Sequence, residues 1–217
     1  MNIISPSSHT SHGRRMPTQE RSRSRVDAIL NATRDLILEK GSSGLKIHEL
    51  AERAGVTPSS IYQYFPNKRA IIHALDERYM NKTHELLAVR LENIKSLEEG
   101  FQALEEAMDD YYDWYTSEPV IYDIWCGMAA DKQMQDMELQ SSRESARIAV
   151  NALSPFIDEG DRAELESYAL LLTHLAGATI RLCIRTEKEE ALKLKNAYKR
   201  LLKSMRLSMS TAKIWLT

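Results

Sequence analysis

The fold is decided by residues 47–68, which read IHELAERAGVTPSSIYQYFPNK. The first apolar residues recur at the i, i+3, i+4, i+7 spacing of a short α-helix with one buried face, and Gly55 ends that pattern. Thr57 can cap a second helix with its hydroxyl, and Pro58 suits the first helical position, where a missing N–H costs nothing. Two short helices joined by residues 55–57 predict a helix-turn-helix.

Further helices are predicted on both sides of this motif. Pro66 stops the second helix, whose inward pair is Ile61 and Phe65, and Asn67 can cap a new helix that begins at Lys68. Upstream, one apolar helical face is formed by Val26, Ile29, Leu30, Thr33 and Ile37, and the pattern stops at Gly41. These three helices predict a small N-terminal domain over residues 19–67.

The remaining residues, 68–217, have helical periodicity throughout and no run with the period of a strand. The predicted helices span residues 68–94, 97–117, 120–128, 131–154, 161–186 and 189–211. Their boundaries follow from local signals: Ser96 and Asp131 as caps, and Pro119 in a first turn. We therefore predict an all-α fold of about nine helices. The N-terminal three-helix domain is followed by a larger helical domain.

The first 18 residues are rich in Ser, His, Thr and Pro and lack apolar periodicity, which predicts a disordered basic tail. Translation from Met16 is an alternative to a start at Met1. The end of this tail and the residues that follow it carry a dense run of arginines: Arg14, Arg15, Arg21, Arg23 and Arg25. They form either an arm that reaches DNA or a solubilising tail. A transit peptide ranks lower, because Pro6, Gly13 and Pro17 work against an amphipathic helix.

The net charge of −2 conceals an asymmetry along the chain. Residues 1–70 hold 11 Lys and Arg against 6 Asp and Glu, while the rest holds 18 against 25. The front is thus +5 and the body −7. A basic module on an acidic body is typical of a nucleic-acid binder, because phosphate attraction must be local while the body stays soluble. An uneven distribution without function is the alternative.

Several other classes of protein are disfavoured. Cys126 and Cys183 lie in apolar helical stretches, so we expect neither disulfides nor a zinc site. Free cysteines fit a reducing compartment, so we expect a cytoplasmic location. No apolar run approaches the roughly 20 residues that span a bilayer, so we expect no membrane association. The common nucleophile, phosphate-loop, zinc-protease and dinucleotide motifs are missing from the sequence, and His73, His84 and His174 lack ligand spacing. We therefore expect no enzyme, metal or cofactor.

Residues 47–68 resemble the DNA-binding signature of the TetR (tetracycline-repressor) family. The resemblance covers about residues 21–75, and the rest of the chain is similar only in its helical layout. It departs from the family pattern at Lys46, where a capping Thr or Ser is frequent, and at Ser59, where Gly is frequent. The resemblance implies a dimeric bacterial transcriptional regulator with a helix-turn-helix and a helical sensing body.

The resemblance also implies which residues contact double-stranded DNA. They are Arg21, Arg23, Lys46, His48, Thr57, Pro58, Ser59, Ser60, Tyr62, Gln63, Tyr64 and Lys68. Tyr62 and Lys68 match phosphate contacts, and Ser59, Ser60 and Gln63 match positions that face the bases. Gln63 can read adenine through paired hydrogen bonds. The alternatives are that Tyr64 packs rather than binds and that His48 is only solvated.

Two further sets of residues are candidates in the body. A homodimer interface is predicted at Leu171, Leu175, Ala178, Leu182, Tyr198, Leu202 and Met205, with burial inside one chain as the alternative. An effector pocket is predicted at Met108, Tyr111, Tyr112, Tyr115, Tyr122, Trp125, Met128 and His174, with plain core as the alternative.

The expected function is sequence-specific transcriptional regulation. The expected mechanism is a repressor released from a palindromic operator by a small apolar or amphipathic effector, whose effect passes through the helix that follows Lys68. Two other classes stay open. One is an architectural or scaffold protein that binds DNA without an effector, and the other is a helical protein-interaction module.

Overall fold

The computed structural model describes residues 18–211 of the 217, except the side chains of residues 18, 19, 128 and 206–211. Within this range the chain forms nine α-helices and no strand, which confirms the all-α prediction. The helices are α1 (Thr18–Gly44), α2 (Ile47–Arg53), α3 (Pro58–Tyr64), α4 (Lys68–Leu91), α5 (Leu97–Ser117), α6 (Val120–Met128), α7 (Lys132–Leu153), α8 (Arg162–Ile184) and α9 (Lys188–Thr211). The tail predicted over residues 1–18 lies outside the described residues, apart from the first residue of α1.

Local side-chain caps set four of the helix starts, those of α3, α4, α5 and α7, as the sequence predicts. The side-chain oxygens of Thr57, Asn67 and Ser96 accept hydrogen bonds from backbone N–H groups in the first turns of α3, α4 and α5. Glu99 Oε2 also accepts from the backbone N–H of Lys95, the residue before the Ser96 cap, at 2.8 Å, a variation on the capping box. These caps satisfy N–H groups that the helices themselves leave without partners.

The first helix is longer than its apolar pattern indicates, because it begins at Thr18 and carries Arg21 and Arg23 on its exposed first turns. Its regular geometry breaks at Gly41, whose φ of 75° is a backbone conformation that residues with a Cβ rarely adopt. The predicted break at Gly41 is therefore confirmed.

One continuous apolar core joins the N-terminal helices to the body. It includes fully buried Ile29 and Leu50, the inward pair Ile61 and Phe65, and Ile121 of α6. α1 packs on α2, α4 and α6. In the body, α4 packs on α5 and α7, α7 packs on α8, and α9 packs on α5 and α8. The N-terminal unit therefore rests directly on the helices of the body.

Helix α8 leaves much of its apolar surface uncovered within one chain. Residues Glu159–Ile184 form a longer apolar stretch than the sequence pattern indicated, long enough to cross a membrane by length and composition, but a core helix of a soluble protein passes the same test. Only 17% of that apolar window is buried inside the chain. Leu171 and Leu182 are exposed, and Leu175 and Ala178 are half-buried.

The predicted dimer residues of α9 are placed differently from the expectation. Tyr198, Leu202 and Met205 are buried inside the chain. Tyr198 also donates a hydrogen bond from its hydroxyl to Leu172 O at 3.0 Å. Because α9 turns this stripe toward α5 and α8, these three side chains belong to the core of one chain. The outward face of α9 instead carries exposed Leu201.

Candidate functional site

The turn between α2 and α3 is shaped by one glycine. Gly55 has a φ of 65°, in the left-handed region. Its N–H donates to Glu52 O at 3.2 Å, and the N–H of Val56 donates to Ala51 O at 3.0 Å. These two bonds are those of a Schellman motif, which closes α2 and turns the chain into α3. The turn therefore sets the angle between the two helices of the helix-turn-helix.

The hydroxyl groups at the start of α3 bond to one another. Thr57 Oγ1 accepts a hydrogen bond from Ser60 N at 3.2 Å and lies 2.9 Å from Ser59 Oγ. The Thr57 side chain therefore stabilises the helix start. Tyr62 is 53% exposed, and Gln63 beside it is also exposed. The exposed side of α3 thus presents a phenol and an amide.

The predicted DNA contacts differ in exposure. The exposed ones are Arg21, Arg23, Lys46, His48, Thr57, Ser59, Tyr62 and Gln63. The half-buried ones are Pro58, Ser60, Tyr64 and Lys68. α2 begins directly at Ile47, and among the described residues Lys46 provides no side-chain cap for it.

Two of the half-buried residues make bonds within the chain. The phenol of Tyr64 is hydrogen-bonded by Ser22 and Arg25 of α1, and these bonds lower its pKa. Lys68 Nζ donates to Ser43 O at 2.9 Å. Tyr64 therefore ties α3 to α1, in line with the packing alternative. Lys68 holds the C-terminal turn of α1.

The body encloses a cavity of about 340 Å³. Four of the predicted pocket residues, Met108, Tyr111, Tyr115 and Trp125, line it. Its apolar wall also includes Met80, Leu86, Leu87, Leu104, Ala107 and Met134. Helices α4 to α9 all contribute to the lining, so a molecule bound there would contact every helix of the body.

Three other predicted pocket residues lie outside that lining, and the side chain of Met128 lies outside the description. Tyr112 is buried on the side of α5 that faces α9, with Lys195 Nζ 4.8 Å from its ring centre. Tyr122 is exposed beside Cys126. His174 is exposed, with Nδ1 3.0 Å from Ser142 Oγ. The aromatic pattern correctly indicated helices that contribute to the cavity. It did not indicate which face of each helix meets the cavity.

Sequence reasoning missed the charged end of the cavity. Asp76, Glu138 and Arg181 line it together with Trp125. A signal was present for Asp76, because it lies on the same helical face as Ile72 and Tyr79, both buried. A carboxylate within an apolar stripe indicates a buried charge that needs a partner.

Most of the chain matches families of known proteins. Residues 98–209 match the family described as "Tetracyclin repressor-like, C-terminal domain", more than half of the chain. Residues 29–75 match "Bacterial regulatory proteins, tetR family". The chain belongs to the TetR family. Its members are transcriptional regulators that bind DNA operators, and ligand response and dimerisation are typical of the family.

Individual TetR-family proteins resemble this chain over most of its length. The transcriptional regulator AlkX of Mycobacterium tuberculosis is 24% identical over 156 residues, 68% of this chain and 71% of AlkX. A TetR-family regulator from Streptomyces coelicolor superposes with a TM-score of 0.64 at 23% identity, covering 84% of this chain and 95% of that one. FadR from Bacillus subtilis, solved with stearoyl-CoA, gives 0.58 at 17% identity over 81% and 96%. These likenesses in structure show a shared fold.

In this TetR-family regulator, α6 contacts both the cavity and the DNA-binding unit. Trp125 lines the cavity, while Asp123, two residues earlier, accepts a hydrogen bond from Ser42 N at 2.7 Å. A Cβ on Gly127 would collide with Ser42 Oγ, so α6 lies directly against the last turn of α1.

One further ion pair ties the helix-turn-helix unit to the body, and a second polar contact joins two helices of the body. Arg34 of α1 donates from Nε to Glu118 at 2.9 Å, and the hydroxyl of Tyr79 donates to the same carboxylate at 3.3 Å. His73 Nε2 lies 3.0 Å from Asp131 Oδ2, which links α4 to the start of α7. The DNA-facing and cavity-lining parts are therefore joined at several defined points.

Proposed function

We propose that this TetR-family regulator is a repressor that binds a two-fold symmetric operator and is released by a small amphipathic effector held in its cavity. In this proposal residues 19–67 are the DNA-binding domain, and residues 68–217 are the effector-binding and dimerisation domain. The observation that carries it is that α4 and α6 contribute both to the cavity wall and to the contacts that hold the last turn of α1, just before α2.

The last turn of α1, which follows the kink at Gly41, makes one hydrogen bond with each of these helices. Asp123 of α6 holds Ser42 N, and Lys68 at the start of α4 holds Ser43 O. α2 begins only three residues after Gly44. A shift of α4 or α6 therefore changes the position of α2 and α3 relative to the body.

An effector can use this connection only if it binds two arrangements of the body with different affinity. Filling the cavity moves the wall helices apart, and Trp125 and Asp123 move together because they lie on one helix of nine residues. The spacing of the two helix-turn-helix units in a dimer then no longer matches the operator. Reciprocally, operator DNA lowers the affinity for the effector by the same factor.

The exposed apolar side of α8 supports a homodimer. Leu171 and Leu182 lie on α8, and Leu201 lies on α9 next to it. Pairing two such faces in four helices covers this surface and places two helix-turn-helix units on one DNA. Half-sites read by such dimers lie roughly 34 Å, one helical turn, or more apart. Binding to chromosomal DNA also places the protein in the cytoplasm.

Selection from a random DNA pool tests the DNA-binding part of the proposal. We expect the pool selected on purified protein to converge on an inverted repeat. Its affinity should exceed that for scrambled DNA by about 10³-fold or more, with two subunits per site. Binding should weaken steeply with salt, because phosphate contacts release counterions.

Variants of α3 separate phosphate contacts from base reading. Tyr62→Ala should weaken binding to selected and scrambled DNA alike, because a phosphate contact carries no sequence information. Gln63→Ala should reduce the preference between them by about tenfold, the value of one paired base contact. Tyr122→Ala, an exposed tyrosine on α6, is the matched control and should bind as the wild type does.

Sequence-independent binding, or binding untouched by both α3 variants, would contradict the operator proposal and favour an architectural DNA-binding protein. The cavity favours a regulator with an effector over an architectural protein, since a purely architectural role does not require a ligand cavity. The FadR structure with stearoyl-CoA supports the view that a body of this fold can hold an amphiphile.

A further inference from the structure

At the charged end of the cavity, one oxygen of a buried carboxyl group has no hydrogen-bond partner among the described residues. Asp76 is 1% exposed and lines the cavity. Within the part of the chain that the structure describes, its Oδ2 atom has no hydrogen-bond partner. Burying an ionised carboxylate without a partner is unfavourable, so this atom marks a position where a binding group is needed.

The nearby positive charge, that of Arg181, already has other partners. Arg181 Nη1 lies 2.5 Å from Glu138 Oε1, an ion pair by distance although its alignment is not that of a hydrogen bond. The guanidinium of Arg181 also lies 5.6 Å from the ring centre of Trp125, as a cation–π contact. Arg181 is therefore committed to Glu138 and Trp125, and it does not neutralise Asp76 as well.

The pKa of Asp76 agrees with this arrangement. Burial raises it to about 7, and the negative charge of Glu138 acts in the same direction. A hydrogen bond from Trp125 and the charge of Arg181 act against the increase without cancelling it. The cavity thus holds two carboxyl groups and one guanidinium. A ligand with a single positive charge restores neutrality when Asp76 is ionised.

Aromatic rings surround the same end of the cavity. Tyr111 and Tyr115 meet edge to face with ring centres 4.6 Å apart, and Tyr115 stacks on Trp125 at 5.4 Å. Electron-rich faces of such rings attract cations, more strongly when water is excluded. Other lining side chains are apolar, with Leu86, Leu87 and Met134 among them.

We infer that the effector of this regulator is an amphiphilic monocation. Its ammonium group lies against Asp76 and the aromatic rings, and its apolar part lies along the apolar side chains of the lining. This inference rests on the proposed function, in which the cavity holds the effector. An anionic amphiphile is disfavoured, because its head group would face Asp76 and Glu138 while Arg181 is already paired.

Three probes that share an octyl chain test the inference: octylammonium, octan-1-ol and octanoate. Binding to the full-length protein at neutral pH is measured by titration calorimetry. We expect one site per chain and octylammonium to bind about tenfold more tightly than octan-1-ol, which corresponds to one ion pair of moderate strength. Octanoate should bind more weakly than octan-1-ol.

The Asp76→Asn variant removes the charge while keeping the size of the side chain. We expect it to lower the affinity for octylammonium by about tenfold and to leave that for octan-1-ol unchanged, which also shows that the cavity is intact. Glu77→Gln is the matched control. Glu77 is the next residue on α4, is exposed and lies outside the cavity lining, so the same loss of charge should not change binding.

The outcomes separate this inference from the proposed function. Equal affinities for octylammonium and octan-1-ol in the wild type, or tighter binding of octanoate, would overturn the cationic effector and leave the cavity as a ligand site. Failure of all three probes to bind would overturn the cationic effector and the effector site together. The wild-type comparison decides the matter even if Asp76→Asn does not fold. Operator binding is measured without probe and stands or falls separately.

Discussion

At the scale of single residues, Asp76 shows how position decides chemistry. Asp76 and Glu77 are neighbouring acids on α4, yet Asp76 is buried and Glu77 is exposed. Water solvates the carboxylate of Glu77, while apolar and aromatic side chains surround that of Asp76. Its ionisation is therefore unfavourable in the folded protein, and stability must depend on pH through this group.

The Asp76→Asn variant should change the pH dependence of stability. The pKa of Asp76 is raised from 3.8 to about 7 on folding, so the folded state holds the proton more tightly than the unfolded state. The resulting cost is absent below the unfolded pKa, grows as pH rises and is complete above the folded pKa. Its ceiling is roughly 4 kcal/mol. We therefore expect the melting temperature of Asp76→Asn to exceed that of the wild type more at about pH 8.5 than at about pH 5.

Thermal unfolding of both proteins across that pH range, without ligand, provides the measurement. The two proteins share every other titratable group, so the difference between them follows the ionisation of Asp76. A difference that stays constant across the range would show that Asp76 keeps an ordinary pKa in the folded protein.

At the scale of elements, the helix-turn-helix depends on one backbone conformation. Gly55 and Gly160 both have open space where a Cβ would lie. They differ because Gly55 has a φ of 65° whereas Gly160 does not lie in the left-handed region. Comparing the two positions therefore separates backbone strain from crowding.

Gly55→Ala should destabilise the protein by about 1 kcal/mol, because a Cβ in the left-handed region contacts the following carbonyl. Gly160→Ala should be neutral or stabilising by up to about 1 kcal/mol, because alanine restricts the unfolded chain. Denaturant unfolding of the two variants measures both values. Equal effects at the two sites would contradict the role assigned to Gly55.

At the scale of the whole molecule, a large apolar surface on α8 stays uncovered by the chain itself. Leu171 is 62% exposed on that helix, and Val89, 68% exposed, lies on α4. The two side chains are thus similarly accessible. Only Leu171 belongs to the face proposed for dimerisation.

Leu171→Glu should shift the protein from dimer to monomer and weaken operator binding, because a buried unpaired charge at a paired surface is costly. Val89→Glu should leave the dimer intact. Sedimentation velocity at several protein concentrations distinguishes the two states. A monomeric wild type, or a dimer that withstands Leu171→Glu, would place the contact between subunits elsewhere.

Local physics explains which features the sequence alone determined. The caps at Thr57, Asn67 and Ser96 and the breaks at Gly41 and Gly55 each depend on a few neighbouring residues, so they could be read directly. The predicted spans 97–117 and 120–128 agree with α5 and α6 to the residue. The all-α fold and the helix-turn-helix therefore followed from the sequence.

Only the tertiary structure decided which way each helical face turns. The i, i+4 spacing of Tyr198 and Leu202 fits a face turned toward a second subunit as well as a face turned toward the core of one chain. The packing of α9 on α5 and α8 places both side chains in the core. Likewise, Asp76, Glu138 and Arg181 lie on three different helices, and their meeting in one cavity depends on the packing of α4, α7 and α8. Helical periodicity states that a face is apolar but not what it faces, because that depends on residues distant in the chain.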